Sequence, residues 1–391
     1  MSVPLPARNG PWQPVLALPG AVHIVQCCTA PLAKNLVAIA TDQSVYAYAI
    51  HTNDAHLQLA PVASFFLGAA VYALAWSPGA QYPNAEGEGV CRVELLVATA
   101  DKQLRLLRHD AVHGTEMSVL AQSQTPIHDL DWCATPGYEQ YVAAAGGAYA
   151  TNLTTDDGSL QIWDLEPEHG VPECHTMRLG ASILSVSFHA KVPKLLLAVD
   201  ASGVGRLIDW LASISPECDD VQTAVTFSDP SALAANVTQG ICAMGGAAWQ
   251  PHDPDVVGAL LGTRWCVWNL ASHTTNPTRP SAHGAFQSGP MPSGGGIRFC
   301  PTNARLFALH IPAAVQIFDA SFPTSPRAID VHDQAPFRGS RSVDLHADST
   351  SARSVRQACT VGDVDWAPFR VGGYDVLFVA VGRQVLVVPA S

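Results

Sequence analysis

Seven times along the chain an apolar, alternating segment closes on an anchor residue, aromatic in the six clear copies, and breaks into a turn, usually with proline. Six copies are clear: VYALAWSP (71–78), IHDLDWC (127–133), ILSVSFHAKVP (183–193), AMGGAAWQP (243–251), GGIRFCP (295–301) and VGDVDWAP (361–368). A weaker first copy reads HIVQCCTAP (23–31). Two further apolar segments follow each copy, and the second often closes on an aromatic and an Asp or Asn, as in LQIWDL (160–165) and CVWNL (266–270). The anchors Trp76, Trp132, Phe188, Trp249, Phe299 and Trp366 stand 56, 56, 61, 50 and 67 residues apart. Alternation with Gly, Pro, Asp and Asn between segments is the signature of short strands, and no window sustains a helical period.

A unit of three or four short strands cannot bury both its faces alone and must stack on its neighbours. Seven such units predict an all-β fold, a seven-bladed β-propeller occupying residues 1–391 as one domain. Residues 1–11, with Pro4, Pro6 and Pro11, read as a flexible tail. Insertions fall at about 213–240 and 333–360; TAVTF (223–227) and RAIDVH (327–332) are candidate outer strands beside them. The last unit supplies three strands (361–367, 376–381, 384–389) before Ser391, so a fourth is expected from the N-terminus. Val15 to Leu18, flanked by Pro14 and Pro19, is the segment left to pair beside Val385 to Val388, closing the ring and covering its exposed edge.

Composition narrows the function classes. With 48% hydrophobic residues the chain can bury a sizeable core, which excludes wholesale disorder. Charged residues are only 14%, the net charge is −12, and the lysines are Lys34, Lys102, Lys191 and Lys194. An acidic chain without a basic run lacks the footprint of a phosphate-backbone binder, so no direct nucleic-acid partner is expected. No apolar stretch approaches a membrane span, and the opening MSVPLPARNG has no apolar signal core, so no membrane insertion is expected. Ten scattered cysteines without a C-x-x-C point to a reducing compartment, cytosol or nucleus. The sequons at Asn152 and Asn236 then read as chance matches.

No catalytic, cofactor-binding or metal-binding motif stands out, so the expectation is a non-enzyme with no cofactor. Gly203-Val-Gly205 lacks the third glycine of a dinucleotide loop, and Gly294-Gly295-Gly296 reads as a turn before a strand. Asp156-Asp157-Gly158 is a hairpin signal before it is a cation loop. His23, His128, His189, His252, His283 and His310 fall across several blades, where spacing alone leaves a channel cluster open.

The strand-ending pairs resemble WD repeats over roughly residues 20–390. Trp163-Asp164, Trp268-Asn269 and Phe318-Asp319 occupy the repeat's structural positions, and Asp209-Trp210 is a permuted relative. In such repeats the aromatic is a buried plug and the acidic or amide residue caps the following turn. The fourth blade, ILSVSFHAKVPKLLLAVDASGVGRLIDWLAS (183–213), is similar to the small WD-repeat nucleoporin class of about 37 kilodaltons from the Y-shaped outer-ring complex of the nuclear pore. IHDLDWCATPGYEQYVAAAGG (127–147) and LQIWDL are compatible with it. The resemblance implies a non-enzymatic scaffold at the nuclear envelope that supports nucleocytoplasmic transport. Its implied partners are the large propeller-solenoid nucleoporin of the Y complex and the chromatin-linked subunit beside it. The alternatives are another WD-repeat adaptor, of a vesicle coat or a ubiquitin ligase, and a propeller hydrolase or lactonase. The Trp-Asp-x-Arg of ligase adaptors is missing, since Glu166 and Ala271 stand where its Arg would be.

Overall fold

The computed structural model describes residues 2–4, 13–53, 56–84, 87–147, 158–167, 170–215, 220–228, 245–262, 264–271, 280–285, 295–312, 314–320, 327–330 and 360–390. Strands β1 (Ser2–Pro4) and β2 (Gln13–Ala17) come first. The first sheet holds β3 (Val22–Cys27), β4 (Leu36–Thr41), β5 (Ser44–Asn53) and β6 (His56–Phe66), with β1 as a fifth strand on β6. The second is β7 (Val71–Trp76), β8 (Arg92–Thr99), β9 (Gln103–Asp110) and β10 (Gly114–Gln122). The third is β11 (Ile127–Trp132), β12 (Tyr141–Gly146), β13 (Gly158–Asp164) and β14 (Glu173–Gly180). The fourth is β15 (Ile183–Phe188), β16 (Leu195–Asp200), β17 (Val204–Asp209) and β18 (Thr223–Ser228), with a one-turn helix α1 (Trp210–Ser213) after β17. The fifth is β19 (Gly245–Trp249), β20 (Val256–Leu261), β21 (Arg264–Asn269) and β22 (Ala282–Ala285). The sixth is β23 (Gly296–Phe299), β24 (Leu306–Ile311), β25 (Ala314–Asp319) and β26 (Arg327–Asp330). The seventh is β27 (Val361–Trp366), β28 (Val376–Val381) and β29 (Gln384–Pro389), completed by β2. Seven antiparallel meanders of this order are the blades of a β-propeller.

Two compact units make up the chain, Met1–Val71 with Arg298–Ser391, and Tyr72–Ile297. Within each, the core lies between consecutive sheets. In the first unit, Val25, Ile39 and Val37 meet Phe378, Val385 and Val387, while Trp366 and Val379 meet Ala308 and Ile317. In the second, Leu96 meets Trp132, Ile162 meets Phe188 and Trp210, and Val199 meets Trp268. Alternation of burial fails in second strands. LVAIAT of β4 and VLFVAV of β28 are buried at every position, and for β28 the first and sixth sheets supply cover on the two faces.

The seventh sheet closes with the N-terminal segment. Gln13 pairs with Val387, Pro14 with Leu386, Leu16 with Val385 and Ala17 with Gln384, and Leu18 N–H donates to Arg383 O at 2.9 Å. The ladder slips between Pro14 and Leu16, next to the residue that has no N–H to donate. Both outer-strand candidates are strands, β18 and β26. The flexible tail expected at 1–11 needs correction at Ser2–Pro4, which pair antiparallel with His56–Gln58 on the outer edge of the first sheet. A free edge offers backbone donors and acceptors that a short strand can satisfy whatever its composition. Residues 5–12 and 331–359, with most of both insertions' loops, lie outside the described residues, as do Asn152, Asn236 and the Asp156-Asp157 pair.

Removing residues 1–19 takes away this ladder and the buried side chains of Val15 and Leu18. At about 1 kcal/mol per net hydrogen bond and about 2 kcal/mol per buried side chain, stability should fall by on the order of 5 kcal/mol. Urea unfolding of the truncated chain should show that loss, and light scattering should show aggregation at the uncovered β29 edge.

Candidate functional site

Two of the seven first strands carry the same pattern, Asp-x-Asp-Trp: Asp129 and Asp131 on β11, Asp363 and Asp365 on β27. A first strand is the inner edge of its sheet, so every second N–H points away from its own ladder and needs an acceptor. Residues two apart in a strand share a face, so an Asp-x-Asp pair matches the spacing of those donors. Val186 N–H donates to Asp129 Oδ2 at 3.0 Å and Phe188 N–H to Asp131 Oδ2 at 2.7 Å, tying β15 to β11. Ser185 Oγ and Ser187 Oγ add donations to the same oxygens at 2.8 and 3.1 Å. On β27 the arrangement repeats: Cys27 N–H donates to Asp365 Oδ2 at 2.7 Å, and Val25 N–H bonds the Asp363 carboxyl. In both strands the second oxygen accepts the next N–H of its own chain, Leu130 to Asp129, Val364 to Asp363 and Trp366 to Asp365. The β27–β3 approach is close enough that a Cβ on Gly362 would lie 2.5 Å from Val22 O.

Asp363 is buried and Asp131 and Asp365 partly so, and the acidity of these three follows. Burial pushes Asp131 up to about 7, with the charge of Asp129 adding to it. Burial likewise pushes Asp363 up to about 7 and Asp365 to about 6, against the pull of the Arg298 guanidinium. Arg298 Nη2 lies 3.8 Å and His310 Nε2 lies 3.4 Å from Asp363 Oδ1. Burial, helped by Arg298, drives the His310 imidazole down to about 3, so it is neutral.

The WD-type positions lie in the third strands, except Trp210, which opens α1 directly after β17. Trp163 is buried and its Nε1–H donates to Gln161 Oε1 at 3.3 Å, while Asp164 Oδ1 accepts the Glu166 N–H at 3.0 Å. Asp209 caps α1 through the Ala212 N–H at 3.1 Å and pairs with Lys194 at 3.0 Å. Trp210 is fully buried against Tyr141 and Phe188, ring centroids 4.8 and 5.6 Å away, and donates to Pro193 O at 2.7 Å. Trp268 is buried with Phe227 at 4.9 Å, its N–H meeting no acceptor among the described residues, and Asn269 follows it opposite Val256. Phe318 stacks on Phe307 at 4.9 Å, and Asp319 takes both ends of the Arg305 guanidinium at 3.2 and 2.8 Å.

The six histidines are not gathered. His23 binds Asp42 at 2.6 Å; His128 Nε2–H donates to Gly147 O at 2.9 Å; His252 and His283 are exposed. His189 Nδ1 accepts from Lys191 and Val192 N–H at 3.0 and 2.8 Å, which leaves Nε2–H to donate to Pro254 O at 3.1 Å. Among the described residues no three His, Cys, Asp or Glu side chains form a metal-binding group. The four clasp aspartates were legible only as strand residues. The signal that marks them is the recurrence of Asp-x-Asp-Trp in strands 234 residues apart, Asp129 to Asp363.

Asp131→Ala leaves the Phe188 N–H and the Ser187 hydroxyl without their acceptor, at a cost of about 1–3 kcal/mol. Asp131→Asn keeps an oxygen there and should stay within about 1 kcal/mol of wild type. Urea midpoints of the two variants at pH 6 check the difference.

No protein-family model matches the chain, and no curated protein matches it. Among solved structures, the β-propeller domain of Myceliophteria thermophila Cps50 (Swd1) superposes with a TM-score of 0.60 at 11% identity, over 96% of this chain and 99% of that one. At that identity the likeness is one of fold: the chain is a seven-bladed β-propeller.

Proposed function

We propose that this propeller is a non-enzymatic scaffold, a structural nucleoporin of the Y-shaped outer-ring subcomplex at the nuclear envelope. The observation that carries the reading is the fourth blade. Its segment 183–213 resembles the small WD-repeat nucleoporins, and its RLIDW element is a self-contained piece of architecture. Asp209 caps the one-turn helix, and Trp210 seals the junction with Tyr138, Tyr141 and Phe188. The helix follows the third strand directly, with the acid as its cap and the aromatic as its first residue.

Surface chemistry agrees with partner binding. Charged residues are scarce, as in interface cores, which exclude Lys, Glu and Asp. The outer strand β10 exposes Met117 and Val119, and Val112 stands 85% exposed in the hairpin before it. The partners proposed are the large propeller-solenoid nucleoporin and the chromatin-linked subunit beside it, bound through apolar and hydrogen-bonded contacts. The carboxylates brought together in the clasps are engaged with backbone donors, a structural use of those groups.

Affinity purification of the tagged protein should recover outer-ring nucleoporins. Recovery of vesicle-coat or ubiquitin-ligase subunits in their place overturns the nucleoporin reading, and turnover in an esterase, lactonase and phosphatase screen that follows the pure protein overturns the scaffold reading. The complex should also survive a rise from about 0.1 to about 0.5 M salt, across which exposed ion pairs are screened. Dissociation over that range would mean that charges carry the interface.

A further inference from the structure

The two clasps share a motif and differ in their surroundings. Around β27, which packs on β3, β24 and β28, the ionisable groups can be counted. Asp363 and Asp365 are on β27 itself. Arg298 reaches in from β23 and His310 from β24. β3 contributes Cys27, whose thiol burial keeps protonated, and His23, whose ring is turned to Asp42. β28 reads VLFVAV and contributes none. Since His310 is neutral, the group holds two carboxyls and one permanent cation, the Arg298 guanidinium.

One ionised carboxylate balances Arg298. A second ionised carboxylate at the same seam would leave an unbalanced negative charge withdrawn from water, which costs more than retaining the proton. We propose that Asp363, Asp365, Arg298 and His310 form a proton-governed latch across the β27–β3 seam, which retains a carboxyl proton in the folded state and loosens when that proton leaves for solvent. The two aspartates titrate as a pair, so the proton belongs to the site rather than to one residue. Their positions explain the consequence: the same two side chains hold the Val25 and Cys27 N–H groups, so the charge that appears on deprotonation appears at the contact joining the last sheet to the first.

The sign follows from the direction of the shift. Carboxyls raised in the folded state contribute stability that is full below their ordinary range near 4 and is lost as the pH climbs through about 6 to 7. Each proton held only by the folded state lowers the folding equilibrium constant about tenfold per pH unit across that window, levelling above it.

Urea unfolding from about pH 4.5 to 8.5 for wild type, Asp363→Asn and Arg298→Gln tests the latch. Asp363→Asn leaves a single carboxylate facing Arg298, so its folding constant relative to wild type should rise about tenfold per pH unit up to about pH 6.5 and then hold. Contributions from Asp131 and from exposed groups act equally on both proteins and cancel in that ratio. Arg298→Gln removes the balancing cation and should extend the fall to higher pH. Parallel profiles for wild type and Asp363→Asn overturn the proposal. An infrared readout stands beside these variants in case Asp363→Asn does not fold. In Asp131→Asn protein, a protonated-carboxyl C=O band present at pH 6 and gone by pH 8.5 supports the latch, and absence of that band at pH 6 overturns it.

Discussion

Leu36–Thr41 and Val376–Val381 have no water-facing side, since all six residues of each strand are buried. A sheet built around such a strand cannot be soluble alone, and it needs another sheet on each face. Most other features of the chain answer that demand. Within each unit consecutive sheets share their cores, large aromatics fill the gaps between them, and the seventh sheet has to find its outer strand at the far end of the chain. Apolar burial between sheets is non-directional, so it sets the stacking without specifying the seams in detail.

The seams are specified by hydrogen bonds. Face-to-face stacking leaves the inner edge of each sheet with donors that no ladder satisfies, and a buried unpaired N–H is costly. At β11–β15 and β27–β3 the answer is a pair of carboxyls at strand spacing, each serving one backbone donor of the facing strand. That answer brings acids into surroundings poorer in water, which is why Asp131 and Asp363 stand near 7 rather than near 4. A polar contact at a seam also fixes register in a way that Val against Leu does not. The Asp375 carboxylate makes the same point elsewhere in the first unit, where it is fully buried and binds Thr302 at 2.6 Å, Asn303 at 3.0 Å and Arg370 at 2.9 Å.

A propeller of this kind is a frame, and frames of this shape host unrelated functions. What distinguishes this one is local: a permuted Asp209-Trp210 corner with its helical turn, a long outer strand showing Met117 and Val119, and a low density of charge. Those features are what the scaffold proposal draws on.

The number of sheets, the strand order within them and the closing partner of β29 were all legible in the amino-acid sequence, because each rests on local chemistry. Alternation marks strands, proline and glycine mark their ends, and Pro14 and Pro19 confine Val15 to Leu18 to an edge. The buried role of Trp163, Trp210, Trp268 and Phe318 was legible for the same reason, since a large aromatic in an apolar strand has few other places to go. Three things were decided only by tertiary structure. Ser2–Pro4 pair with β6 through backbone groups, which any sequence carries, so no side-chain pattern announces them. The histidines' partners, Asp42 for His23, Gly147 for His128 and Pro254 for His189, depend on which segments lie side by side. The clasps are the clearest case. Asp129 and Asp131 read as ordinary strand residues until β15 lies beside them, because a carboxyl's partner and its affinity for a proton are set by what surrounds it in space.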